Sequence, residues 1–147
     1  MIEITYKIID GGWANAKIGN GRKQTKFAVS YLNDSLKELA ESAIEIRSKD
    51  FKTVVFMEEP GEHVLILHRN DQNKIDYELR WYADWWSWNL IEEGNFKTVL
   101  KGSTTVPKYI NQVRNILQEL MTALGPEAYR KKWIEHDFPI EEYEKLK

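Results

Sequence analysis

The run at residues 74–90, KIDYELRWYADWWSWNL, leaves the chain few ways to fold. Its first nine residues alternate strictly. Ile75, Tyr77, Leu79 and Trp81 fall on one side of an extended backbone, and Asp76, Glu78, Arg80 and Tyr82 fall on the other. Alternation of period two, with β-favouring residues on one side, predicts a half-buried strand. Rings this large need a covering layer, which helices lying across a sheet supply most simply. After Ala83 the alternation stops, because Trp85, Trp86 and Trp88 cannot share one side of a strand. At least one indole is therefore expected at a surface, an interface or the rim of a groove. Large rings are mostly buried, which makes a thick core corner or a bulge the plain expectation. Trp and Tyr are also over-used at binding hot spots. Asp84, set among the rings, is expected to be a hydrogen-bond acceptor or a turn residue.

Comparable periodicities run along the rest of the chain. Ile2, Ile4, Tyr6 and Ile8 predict a first strand, and residues 10–12 (Asp-Gly-Gly) a turn. Residues 13–18 form a short strand. Asn20-Gly21 is the pair a type I′ hairpin favours, and residues 23–32 alternate again. Ser35 and Glu38 have the spacing of a capping box, with Asp34 at the positive end of the helix dipole. Leu36, Leu39, Ala40, Ala43 and Ile44 then make one helical stripe, ending near Ser48. Residues 51–57 and 64–68 are strands, the second apolar on both sides and so expected to be central. Turns are expected at residues 59–62, 70–73 and 92–95, and a last strand at 96–101. Pro107 opens a long helix whose stripe includes Tyr109, Val113, Ile116, Leu117, Leu120 and Leu124. Gly125 ends it, Pro126 starts a shorter helix, and residues 140–147 form a final helical turn or two. The expected fold is α+β: a meandering, mainly antiparallel sheet of about six strands. One helix follows the third strand, and C-terminal helices pack on one face. The 147 residues are expected to form a single domain.

Two short strings carry a resemblance. Gly12-Trp13-Ala14 followed by Ser30-Tyr31-Leu32-Asn33-Asp34-Ser35-Leu36, and Glu59-Pro60-Gly61-Glu62 followed by a strand and Arg69, resemble a small bacterial domain family with SYLxD and EPGE motifs. The likeness covers the first half of the chain. It implies an order of strands and one helix, not an activity. The size, acidity and α+β plan are also similar, as a class, to immunity proteins of bacterial toxin systems.

Composition excludes several chemistries. Lys and Arg number 21 against 23 Asp and Glu, which is too even for nucleic-acid binding by bulk charge. No apolar run reaches the roughly 20 residues that a membrane crossing needs. The first residues lack a basic segment followed by a long apolar one, so no secretory signal is read there and a cytoplasmic location is expected. The absence of cysteine removes disulfides, thiol nucleophiles and thiolate metal sites. Glycines 11, 12, 19 and 21 lack the lysine and the strand–loop–helix order of a phosphate loop. His63 and His68 are an odd number apart, so on one strand they face opposite ways and cannot share a metal unless a bulge intervenes. His136, at a helix end, suits the dipole there. Glu58, Glu59 and Glu62 crowd one turn but no metal or base partner accompanies them, so a wet turn is expected, in which one of them caps the turn or pairs with Arg69 or Arg80. Ser30, Ser35, Ser87 and Ser103 have no nucleophile motif around them. Arg130-Lys131-Lys132 reads as a solvated helix face.

These residues favour a non-catalytic protein-binding domain without cofactor or metal. Its concrete version is an immunity-type protein with a toxin-like partner, and self-association through a sheet edge is open to it. The candidate partner or ligand surface is Glu78, Arg80, Tyr82, Asp84, Trp85, Trp86 and Trp88. The polar stripe and the rings together have the make-up of a binding patch. Two other readings are a small-molecule or nucleotide pocket lined by Trp85, Trp86 and Trp88, and a hydrolase using Glu58, Glu59 or Glu62.

Overall fold

A computed structural model describes residues 1–70, 73–134 and 136–147. The fold is α+β. Among the described residues seven strands run in the order β1 (Glu3–Ile8), β2 (Trp13–Gly19), β3 (Gln24–Ser30), helix α1 (Ser35–Glu45), β4 (Phe51–Met57), β5 (Glu62–Arg69), β6 (Lys74–Tyr82) and β7 (Lys97–Thr105). Helices α2 (Val106–Ala123), α3 (Gly125–Trp133) and α4 (Ile140–Leu146) follow. Every strand pairing is antiparallel between sequence neighbours. The meander is divided into two sheets, β1-β2-β3 and β4-β5-β6-β7, where one was expected.

The division has a local cause. β3 and β4 lie close enough for Phe27 and Phe56 to meet edge to face at 5.5 Å. However, the free edge of β4 at Val55 is already taken. Glu38 accepts from Val55 N at 3.0 Å, while Ser35 Oγ (2.7 Å) and Asn33 Nδ2 (2.9 Å) donate to Val55 O. The expected capping box is thus spent on the sheet: Asp34 is the N-cap, accepting weakly from Lys37 N, and Ser35 and Glu38 serve β4. Unpaired edge groups near the core need partners, and the first turn of α1 supplies them.

The core lies between the helices and the inner faces of both sheets. Leu36, Leu39, Ala40 and Ala43 of α1 meet Val113, Ile116, Leu117 and Leu120 of α2 there, with Ile4, Ile18, Val29, Leu65, Leu67 and Leu79 from the sheets. Ser42 Oγ and Tyr109 Oη, 2.7 Å apart, join α1 to α2. One turn and one strand end differ from expectation. Asn20-Gly21 opens a four-residue loop in which Asn20 Oδ1 accepts from Arg22 N (2.9 Å) and Lys23 N (2.8 Å). The side chain of Asn20 thus adds two bonds to the backbone one, from Asn20 N to Lys23 O at 3.0 Å, that closes the turn. Strand β7 runs on to Thr105, which caps α2 through its hydroxyl. Of the turn expected at residues 70–73, Asp71 and Gln72 lie outside the described residues.

Candidate partner-binding surface

The inner and outer faces of β6 divide as its alternation predicts. Tyr77 and Leu79 enter the main core, while Glu78, Arg80 and Tyr82 turn outward with Val55, Val64 and Ile66 of the neighbouring strands. This outer face is apolar at one end, and residues 83–96 fold back over that end. Trp86, Ile91 and Phe96 close a second, smaller core on Val55, Val64, Ile66 and Tyr82. Trp86 stacks on Tyr82 with ring centres 5.4 Å apart and planes 13° from parallel. Double cover explains why β5 is apolar on both sides and fully buried at Val64 and Leu65.

Three anchors hold the loop. Tyr82 Oη donates to Glu93 O at 2.8 Å. Trp85 Nε1 donates to Glu58 O at 2.7 Å and Gly61 O at 3.0 Å, joining the loop to the β4–β5 turn. Glu62, 0% exposed, accepts from Ser87 N (3.0 Å) and Ser87 Oγ (2.7 Å), and so fixes the 3₁₀ turn Trp86–Trp88. Burial pushes the Glu62 carboxyl above its ordinary range, and the two bonds from Ser87 oppose that shift. Gly61 holds the turn at φ +87°, where a Cβ would stand 2.3 Å from the Trp81 ring and 2.8 Å from Tyr82 O.

The three glutamates of that turn therefore part company, and the expected wet cluster is not formed. Glu62 is buried against Ser87, Glu58 lies 2.6 Å from His63 Nδ1, and Glu59 faces solvent. None pairs with Arg69 or Arg80. Arg69 binds Asp50 at 3.1 Å, and Arg80 binds Glu78 at 2.9 Å and lies 3.9 Å from the centre of the Phe96 ring. His63 is buried on the inner side, stacked on Phe27 at 4.2 Å, while His68 is on the outer face. His136 leaves the end of α3 and donates to Tyr31 O at 2.8 Å, near Asp34. Among the described residues no group of three His, Asp or Glu is placed to hold a metal ion, and no helix is long and apolar enough to cross a membrane.

The expected surface residues take unequal places. Tyr82 is buried beneath the loop, not on it, because its ring is the platform on which Trp86 stacks. Glu78 and Arg80 are half-buried and paired to each other. Trp85 and Trp86 are half-buried anchors, and Asp84 is exposed and accepts from Trp85 N at 2.7 Å. Trp88 projects at 50% exposure with its ring edge on Trp85, and Leu90 at 56%. Leu90, Glu92 and Glu93 belong to the same surface and were missed by alternation, which ends before them. An acidic turn following a tryptophan run is the signal that could have found them. Beside Trp86 lies an open hollow of about 470 Å³, edged by Asn89, Leu90, Glu92 and Glu93. The rings do not converge on an enclosed pocket there.

No known protein family matches the chain, and neither does any curated protein. Among solved structures, a chain of the CdiA-CT/CdiI toxin and immunity complex from Enterobacter cloacae aligns over 80% of this chain and 98% of its own length. Sequence identity is 11% and the TM-score 0.45.

Proposed function

We propose that this chain is a non-catalytic protein-binding domain that docks a basic partner surface through residues 84–93 and Glu59. An immunity-type protein covering the basic surface of a toxin is its concrete form. One observation carries the reading: the loop is fastened from beneath yet presents Trp88 and Leu90 to solvent among carboxylates. Residues 83–96 contain Asp84, Glu92 and Glu93 and no basic residue. The adjoining turn adds exposed Glu59. Exposed rings inside a charged rim are the anatomy of a protein interface. Preorganisation by Glu62, Tyr82 and Trp85 lowers the ordering cost of docking. The carboxylates steer a cationic surface towards the loop.

The test begins with a photo-reactive residue placed at position 88 in the native host, followed by purification of the protein it captures and calorimetry of the pair. A one-to-one complex is expected, weakened by added salt and by the double substitution Trp88→Ala/Leu90→Ala. An affinity indifferent to that substitution would contradict the reading. Stoichiometric quenching of tryptophan fluorescence by a metabolite would favour a small-molecule site instead.

A further inference from the structure

The outer face of β1-β2-β3 is the opposite of the loop in charge. Residues 1–31 hold Lys7, Lys17, Arg22, Lys23 and Lys26 against Glu3 and Asp10, a balance of 5 − 2 = +3 in a chain whose total is −2. The other 116 residues therefore carry −5. Thr5, Lys17 and Lys26 form one cross-strand row, and Lys7, Asn15 and Ala28 the next. Like charges directly opposed on a sheet repel each other, yet Lys17 and Lys26 face each other in register. Among the described residues none of Lys7, Lys17 and Lys26 makes an ion pair, while Asp10 is taken by Lys132. The lysines surround a shallow hollow of about 600 Å³ floored by Thr5, Asn15 and Ala28.

We infer that this basic hollow receives the aromatic–acidic loop of a second copy of the chain. The inference rests on the reading of that loop as a docking surface, and names its occupant when no other partner is present. The two surfaces complement each other in chemistry. Four exposed carboxylates (Glu59, Asp84, Glu92 and Glu93) meet the ammonium groups of Lys7, Lys17 and Lys26. The Trp88 ring meets lysine heads and stems, where cation–π attraction and apolar contact both operate. Small side chains on the floor leave room for a bulky ring. The contact joins unlike patches, the loop of one copy and the hollow of the other. It also differs from pairing through sheet edges. The edge of β4 is occupied at Val55, and that of β7 receives Asn20 Nδ2 at Lys101 O and the N-terminal amine at Ser103 O.

Sedimentation equilibrium at low and high salt tests the contact in the full chain. Self-association at low salt that disappears at high salt is expected. Lys17→Glu/Lys26→Glu and Glu92→Lys/Glu93→Lys should each weaken it by on the order of tenfold. An equimolar mixture of the two variants should restore it, because each then offers the other a complementary pair of faces. Circular dichroism establishes that both variants are folded. A wild-type chain that stays monomeric at low salt overturns the inference, and so does association that survives both variants. Lys17- and Lys26-dependent binding of a single-stranded RNA oligonucleotide by a monomer would assign the face to nucleic acid instead. A failure here leaves the partner reading standing if Trp88→Ala/Leu90→Ala still abolishes the captured complex. Loss of both removes the loop as a docking surface.

Discussion

Removing the Glu62 carboxylate should loosen the candidate docking surface without touching any residue that a partner would meet. Glu62 is fully buried and receives two bonds from Ser87. Bonds to a charged acceptor contribute about 1.5–3 kcal/mol each, so two would give roughly 3–6 kcal/mol. Part of that is offset, because Glu62→Ala also relieves the cost of burying a carboxylate. A net loss of about 2–3 kcal/mol follows for Glu62→Ala, while Glu62→Gln, which keeps an acceptor and the shape, should cost under about 1 kcal/mol. Urea unfolding gives the stabilities. Near-ultraviolet circular dichroism reports the Trp85, Trp86 and Trp88 environment, which should lose its signal in the alanine variant below the unfolding transition. Equal stabilities for the two variants, with an unchanged near-ultraviolet spectrum, would refute the view that Glu62 fastens the loop.

Further expectations follow from the same contacts. Burial raises the carboxyl pKa of Glu62 and Glu38 from an ordinary 4.5 and that of Asp34 from 3.8. The folded chain then keeps protons the unfolded chain has released, so these groups stabilise most at low pH and lose that contribution as pH rises through their folded values. The melting temperature of Glu62→Gln relative to wild type should therefore climb from pH 4 to pH 8, and a constant difference would be contrary. Glu38→Ala should cost about 1–3 kcal/mol in urea unfolding, since Val55 N–H loses its acceptor beside the core, and Glu38→Gln should recover most of it. Gly61→Ala should cost at least about 1–3 kcal/mol for the left-handed backbone alone, with a further cost from the Trp81 contact, read in the same assay.

Much of the fold was legible because it is local. Ile75 to Tyr82 alternate and form a strand, and the stripe from Tyr109 to Leu124 is the buried side of α2 with the caps expected around it. What escaped was the use of side chains across long separations. Ser35 and Glu38 have capping spacing, but Val55, the group they bind, lies 20 and 17 residues away. Their capture of the β4 edge is what divides the meander into two sheets. Glu62 looked like one of three wet carboxylates because Ser87, its partner, follows 25 residues later. In the candidate surface, the aromatic residues were visible from their density. Their division into anchors (Trp85, Trp86) and an exposed contact (Trp88) depends on Tyr82 and the second core, which no local spacing encodes.

Residues 84–93 should behave as a preformed docking face. Hydrogen exchange on this chain, free and in complex with the protein captured at position 88, measures it directly. The free loop should already be protected at Ser87, whose N–H is held by Glu62, and binding should add protection at residues 84–93 and near Glu59. Protection confined to α2 and α3 or to the outer face of β1-β2-β3, with the loop unchanged, would contradict it.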